Sequence, residues 1–166
     1  MVILGIDPGY AIVGWGVLET NGVSFRTLGY GSIRTDKDLP IEKRLAEIYG
    51  DMIAIIDKYR PEQMAVEELF FNTNVTTGIK VGEARGVILL AAEQRGVACY
   101  EYTPLQVKQA VVGYGTAEKK QVISMVTSLL GLPKPPKPDD TADALAIAIC
   151  HAHTGCSKLA SYYNQK

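Results

Sequence analysis

Val2-Ile3-Leu4-Gly5-Ile6-Asp7-Pro8-Gly9 opens the chain. Large or branched apolar residues fill four of the five places before Asp7. A short apolar run closed by Pro-Gly reads as a strand buried on both faces, because a strand with one wet face alternates instead. The acid at its end has two readings. Asp favours turns, so Asp7 opens the Pro8-Gly9 turn. Alternatively, a carboxylate among apolar neighbours is paired, hydrogen-bonded, protonated or bound to a cation. The stretch alone leaves both open, and the choice depends on what else the chain brings near.

The chain has 166 residues, 47% hydrophobic and 21% charged, which is the size and composition of one globular α/β domain able to bury a core without disulfides. Its three cysteines, Cys99, Cys150 and Cys156, follow no paired framework. The apolar start is too short and lacks the basic flank of a signal peptide, and no run reaches the length of a membrane span, so a cytoplasmic protein is expected. Net charge is −1, but between Pro104 and Pro138 five lysines stand against the single acid Glu118. That local excess fits either a solvated lysine face or a phosphate-backbone footprint.

Working outward, Ile12–Glu19 is a second strand, Asn21-Gly22 a hairpin signal and Val23–Ile33 a third strand. Ile41, Leu45, Ile48, Met52, Ile55 and Tyr59 recur at helical spacing until Pro61. Gln63–Glu68 is a short strand ending in two acids, and Phe70–Asn74 a loop. Val75–Arg95 is a long helix in which Gly78, Gly82 and Gly86 form a stripe; each glycine costs about 1 kcal/mol there, so the stripe marks a close approach, to the same chain or to a partner. Val97–Tyr102 is a fifth strand. Thr103-Pro104 starts a helix to Val112, and Thr116 caps another through Leu130. Pro133–Pro138 is extended, and a last helix runs from Asp139, as its N-cap, to about His153. The order βββαβαβααα describes a mixed sheet with helices.

Asp140 and Asp143 lie three apart and share one helix face, where like charges are unfavourable without a cation between them. Ala142, Ala144, Ala146 and Ala148 allow that helix to lie close to a sheet. Together with Asp7 and either Glu67 or Glu68, the set is all carboxylate, suited to Mg²⁺ or Mn²⁺ and to displacement at phosphorus. His151 and His153 point to opposite faces and are read as structural or peripheral.

These motifs have a family likeness. Gly5-Ile-Asp7-Pro-Gly9 with Gly14-Trp-Gly16, Ala65-Val-Glu67, Lys80-Val-Gly-Glu-Ala-Arg-Gly86, Val107-Lys-Gln, Gly113-Tyr-Gly-Thr-Ala-Glu-Lys119 and Asp140-Thr-Ala-Asp143-Ala-Leu-Ala-Ile-Ala resemble, in order, the RuvC family of Holliday-junction resolvases. The resemblance implies an RNase H-like fold with a five-stranded mixed sheet over residues 1–155; the stretch at 156–166 has no counterpart in it and is expected, as a chain end, to be a flexible tail. The resemblance implies a homodimer using the Gly78-Gly82-Gly86 stripe, and two Mg²⁺ per subunit on Asp7, Glu67, Asp140 and Asp143, with Mn²⁺ as substitute. It selects Glu67 over Glu68. Lys108 and Lys119 match lysines that contact DNA, Lys120 adds a charge beside them, and Phe70 matches an aromatic near the strand exchange point. The expected activity is paired nicking of a four-way DNA junction in recombination and repair, leaving 5′-phosphate and 3′-hydroxyl ends, beside the RuvA–RuvB branch-migration proteins. Rivals are an RNA-processing relative of the same fold, an actin-like ATPase, which needs two such domains, and a junction-binding module without catalysis.

Overall fold

The computed structural model describes residues 1–69 and 75–155. Five strands form one sheet in the order β3-β2-β1-β4-β5. β1 (Val2–Asp7), β2 (Ile12–Thr20) and β3 (Phe25–Arg34) form an antiparallel meander, while β4 (Gln63–Glu67) pairs parallel with β1, and β5 (Ala98–Tyr102) parallel with β4. The first strand is thus the middle of the sheet. Helices α1 (Ile41–Tyr59) and α2 (Val75–Gln94) cover one face, and α5 (Asp139–Gly155) covers the other. Outside α5 lie α3 (Pro104–Val112) and α4 (Lys119–Leu129). This is the RNase H-like arrangement, and the mixed α/β fold expected from the sequence.

Strand alternation assigns the faces. Leu4 and Ile6, with Met64 and Val66 beside them, join the core under α1 and α2, while Ile3 and Ala65 join the core under α5. The residues of β1 between its ends are fully buried, as a strand covered on both faces requires. Asp7 follows Ile3 and Gly5 on the α5 side, and Glu67 follows Ala65 there.

On that side the sheet is bare of side chains at Gly5, Gly14 and Gly16. A Cβ at Gly5 would overlap the Ala144 carbonyl and crowd Ala148, one at Gly14 would overlap the Asp140 carbonyl, and one at Gly16 would strike Leu145. Opposite them α5 is largely alanine, so helix and sheet approach backbone to backbone. Because α3 and α4 cover its other side, α5 is buried from Thr141 to Ala152 except for Asp143. Its alanines are therefore a consequence of burial between two layers.

Three local expectations are corrected. Asn21-Gly22 does not make a two-residue hairpin: β2 ends at Thr20 and β3 starts at Phe25, and the Asn21 carboxamide oxygen accepts from the Val23 and Ser24 amides at 3.0 and 2.9 Å, stabilising a longer loop. α4 starts at Lys119, not after Thr116, because Ala117 is drawn into the core and Gln121 Oε1 reaches back to the Glu118 amide at 2.8 Å. Asp139 is the first residue of α5 instead of its N-cap, and its carboxylate accepts from Lys137 at 3.1 Å.

The C-terminal half of α5 is pinned by His151, which is 1% exposed. Its Nε2 lies 2.7 Å from Gln63 Oε1 and its Nδ1 2.7 Å from the Tyr102 hydroxyl. Since Gln63 Oε1 only accepts, the ring carries its proton on Nε2 and accepts the Tyr102 O–H at Nδ1. Burial pushes the imidazole pKa down to about 4. The unfolded chain, at the ordinary value of 6.5, therefore binds a proton the native state refuses between those limits. This contribution is complete above pH 6.5 and is lost as pH falls towards 4. The stability gap between wild type and His151→Gln, from urea unfolding, is expected to shrink by up to about 3 kcal/mol across that window and to stay constant above it.

Candidate active site

Asp7 ends β1 and Glu67 ends β4, and the pairing of Ile6 with Val66 places the two acids side by side on the α5 face. Across the other edge of β1, the ladder pairs Asp7 with Gly14. Gly14 is where the Asp140 carbonyl presses on the sheet. One cross-strand pair thus delivers the start of α5 to Asp7, and Asp143, one turn on, follows. The Thr141 hydroxyl donates to the Gly31 carbonyl at 3.2 Å, tying the same turn to β3.

The electrostatics follow from this placement. The Asp7 carboxyl is pushed up to about 8, by burial first and then by Glu67, Asp143 and Asp140, with Lys119 opposing. Glu67 is raised by burial and by Asp143, against Lys119 and Lys108. Asp143 is raised by burial and by Asp140 and Asp139, against its bond to Lys119. Of the four acids expected from the resemblance, Asp7 therefore lies in the field of the other three, and Asp143 acts on both Asp7 and Glu67. Glu68, the alternative left open by periodicity, instead donates its amide to the Tyr102 carbonyl at 2.9 Å, beyond the end of β4.

Two lysines face the acids. Thr103 caps α3, accepting from the Gln106 amide at 3.2 Å, and α3 carries Lys108; Lys119 is the first residue of α4. Lys119 Nζ lies 2.8 Å from Asp143 Oδ2. Glu67, Asp143, Lys108 and Lys119 line a cavity of about 220 Å³ with an apolar floor that includes Val107 and Ile147. Lys120 is exposed and turns away from this cavity into a neighbouring groove.

Among the described residues no three His, Cys, Asp or Glu side chains are drawn together tightly enough to enclose an ion as they stand. Lys119 holds Asp143. The donor chemistry nevertheless fits a hard divalent cation: every donor is a carboxylate, and their mutual repulsion is what such an ion relieves. His151 and His153 take no part, since His151 is committed to Gln63 and Tyr102, and His153 Nδ1 lies 3.2 Å from the Ala110 carbonyl.

Other expected residues fall elsewhere. Gly82 and Gly86 lie on α2, where an added Cβ would meet nothing within 4 Å, so among the described residues neither marks a close contact. Gly78 lies in the first turn of α2, half-buried. Phe70 and the tail at 156–166 lie outside the described residues. The sequence reading missed two features, the Lys119–Asp143 pair and the seating of α5 on Gly5 and Gly14. The spacing of the glycines held a signal for the second.

A buried acid cluster at the strand ends and last helix of this fold defines an RNase H-like nuclease. A family model described as Crossover junction endodeoxyribonuclease RuvC matches residues 3–151. The crossover junction endodeoxyribonuclease RuvC of Halothermothrix orenii is 60% identical over 154 residues, covering 93% of both chains. The Thermus thermophilus RuvC structure superposes with a TM-score of 0.86 at 42% identity, covering 93% of this chain and 95% of that one. A second Thermus thermophilus RuvC structure, in complex with a Holliday junction substrate, has the same TM-score and coverage at 39% identity. The chain belongs to the RuvC family and is a structure-specific DNA endonuclease. Among the described residues no helix is long and apolar enough to cross a membrane.

The electrostatics predict an unusual mutant. At pH 9, where the Asp7 carboxyl is ionised, Asp7→Asn removes one charge from a half-buried, mutually repelling set, so in EDTA its unfolding free energy there is expected to equal or exceed that of wild type, within about 1 kcal/mol below it at most. A loss of 3 kcal/mol or more by urea unfolding would make Asp7 a structural acceptor instead.

Proposed function

We propose that Asp7, Glu67, Asp140 and Asp143 hold two Mg²⁺ ions per subunit and that the chain hydrolyses phosphodiesters at a four-way DNA junction. The observation that carries this reading is the meeting of acids from β1, β4 and α5 beside a lysine-lined cavity. Divalent cations bound there supply the positive charge that activates a water and stabilises the departing 3′ oxygen.

The chain's own groups do the rest. The four carboxylates set where cations lie relative to the cavity, and the backbone contact of α5 with Gly5 and Gly14 fixes that geometry. Lys108 and Lys119 neutralise phosphate charge. Lys119 also offsets Asp143 until a phosphodiester offers it another oxygen. The apolar floor excludes bulk water from part of the cavity and strengthens these interactions. The rival binding module has no need to bury four repelling acids, because carboxylates repel DNA.

The second half of the proposal is a homodimer. The α2 face carrying Gly82 and Gly86 also exposes Ile79 and Leu90, 55% and 50% accessible. Apolar side chains flanking backbone left open by glycine favour close packing of a second helix. Two-fold pairing would match the symmetry of a four-way junction and place one active site on each of two opposed strands.

Incubation with a mobile synthetic junction, with linear duplex and an RNA hairpin as controls, is expected to give symmetric paired nicks in the junction alone and only with Mg²⁺ or Mn²⁺. Asp7→Asn is expected to reduce cleavage by at least a thousandfold while binding the junction as tightly as wild type. Cutting of the RNA instead would move the activity to the RNA-processing relatives of the fold.

A further inference from the structure

A second groove lies beside the acidic cavity and plays no part in the chemistry above. It follows the outer face of α4 and is walled on its far side by the segment after that helix, where Gly131 turns the chain in the left-handed region (φ 59°). Its volume is about 660 Å³, three times that of the acidic cavity at about 220 Å³. Lys120, Ser124 and Ser128 line it from α4, at the four-residue spacing that keeps them on one face. Leu132, Pro135 and Lys137 line it from the segment.

Three observations say what fits it. The groove combines two exposed cations and two exposed hydroxyls with apolar surface, and none of its lining residues is acidic. The acid that comes near is Asp139, bonded to Lys137 at 3.1 Å in a pair so exposed that a phosphate can replace it with little loss. The groove also lies across α4 from the site, and its lysines are neighbours in the chain of the residues there. Lys120 follows Lys119, which holds Asp143, and Lys137 stands just before Asp139 and Asp140. Both lysines therefore spring from the ends of the helices that carry the chemistry. Finally, its walls lack the Asn, Gln and Arg side chains that read base edges in pairs of hydrogen bonds.

We infer that this groove is a backbone track for the DNA strand that continues from the scissile position. Lys120 and Lys137, with the Ser124 and Ser128 hydroxyls, hold successive phosphates, and the apolar surface receives the sugars. The inference rests on the nuclease reading above and gives the local lysine excess of the sequence a place in it. It also assigns the track to affinity and register, not to sequence preference.

The test compares wild type, the double variant Lys120→Gln/Lys137→Gln, and Lys58→Gln on α1 as a control across the sheet. Binding to a junction and to a linear duplex is titrated in EDTA over a range of salt. Each lysine on a phosphate contributes about 0.9 to the slope of log K against log salt, so the double variant is expected to lose nearly two units of slope and about tenfold in affinity at low salt. Lys58→Gln should match wild type. Methylphosphonates placed singly beside the scissile position should weaken wild type at one or two positions and leave the double variant indifferent there. An unchanged slope, or methylphosphonate effects that persist in the double variant at every position, overturns the track even if junctions are cut normally. Absence of junction cutting by wild type, with the slope change intact on duplex, would instead sink the nuclease reading and keep the track.

Discussion

The contact on which this structure depends is the backbone approach of α5 to the sheet. It requires that β1 and β2 carry no side chains at Gly5, Gly14 and Gly16, and that α5 answer with alanine at 144 and 148. Any Cβ at these glycines meets atoms that cannot all move aside, and filling a packed space of this kind typically costs 1–3 kcal/mol. A helix seated so deeply is buried on its outer side too, which demands a second layer. That layer is α3 and α4, and with them come Lys108 and Lys119. The acids and the lysines opposing them thus have one structural origin.

Gathering four half-buried carboxylates works against folding, and the molecule offsets this in identifiable places. Lys119 neutralises Asp143, and protonation relieves Asp7, whose carboxyl titrates near 8. At the other end of the same helix, His151 is held neutral between Gln63 and Tyr102, joining α5 to β4 and the edge strand β5. The repulsion stored at one end of α5 is sustained because the rest of the helix is over-determined by packing and by this pair of hydrogen bonds. Strain at a functional site supported by rigidity elsewhere is the expected division of labour in an enzyme.

Much of this was legible in the chain. The apolar run before Asp7 announced a strand covered on both faces, the periodicity from Ile41 to Tyr59 gave α1 its bounds, and Thr103-Pro104 marked the start of α3. The motif resemblance identified the family, and Asp7 lies in the field of the other three acids it named. What pattern alone could not supply were relations between distant residues. Alternation could not choose Glu67 over Glu68; the pairing of Ile6 with Val66 does. No spacing rule links Lys119 to Asp143, which lie on different helices. Thr116 looked like a cap because local propensity ignores the pull of the core on Ala117. The glycine stripe of α2 told of close approach without saying to what, and among the described residues nothing comes close to a side chain added at Gly82 or Gly86.

The account stands on convergence: that acids from β1, β4 and the start of α5 form one cation site. Calorimetric titration of Mn²⁺ into wild type and into Asp7→Asn, Glu67→Gln, Asp140→Asn, Asp143→Asn and Glu68→Gln tests this without reference to cleavage. A shared site predicts that each of the first four variants loses at least tenfold in affinity while Glu68→Gln binds as wild type. Wild-type affinity in any of the four, or a loss confined to Glu68→Gln, would contradict it.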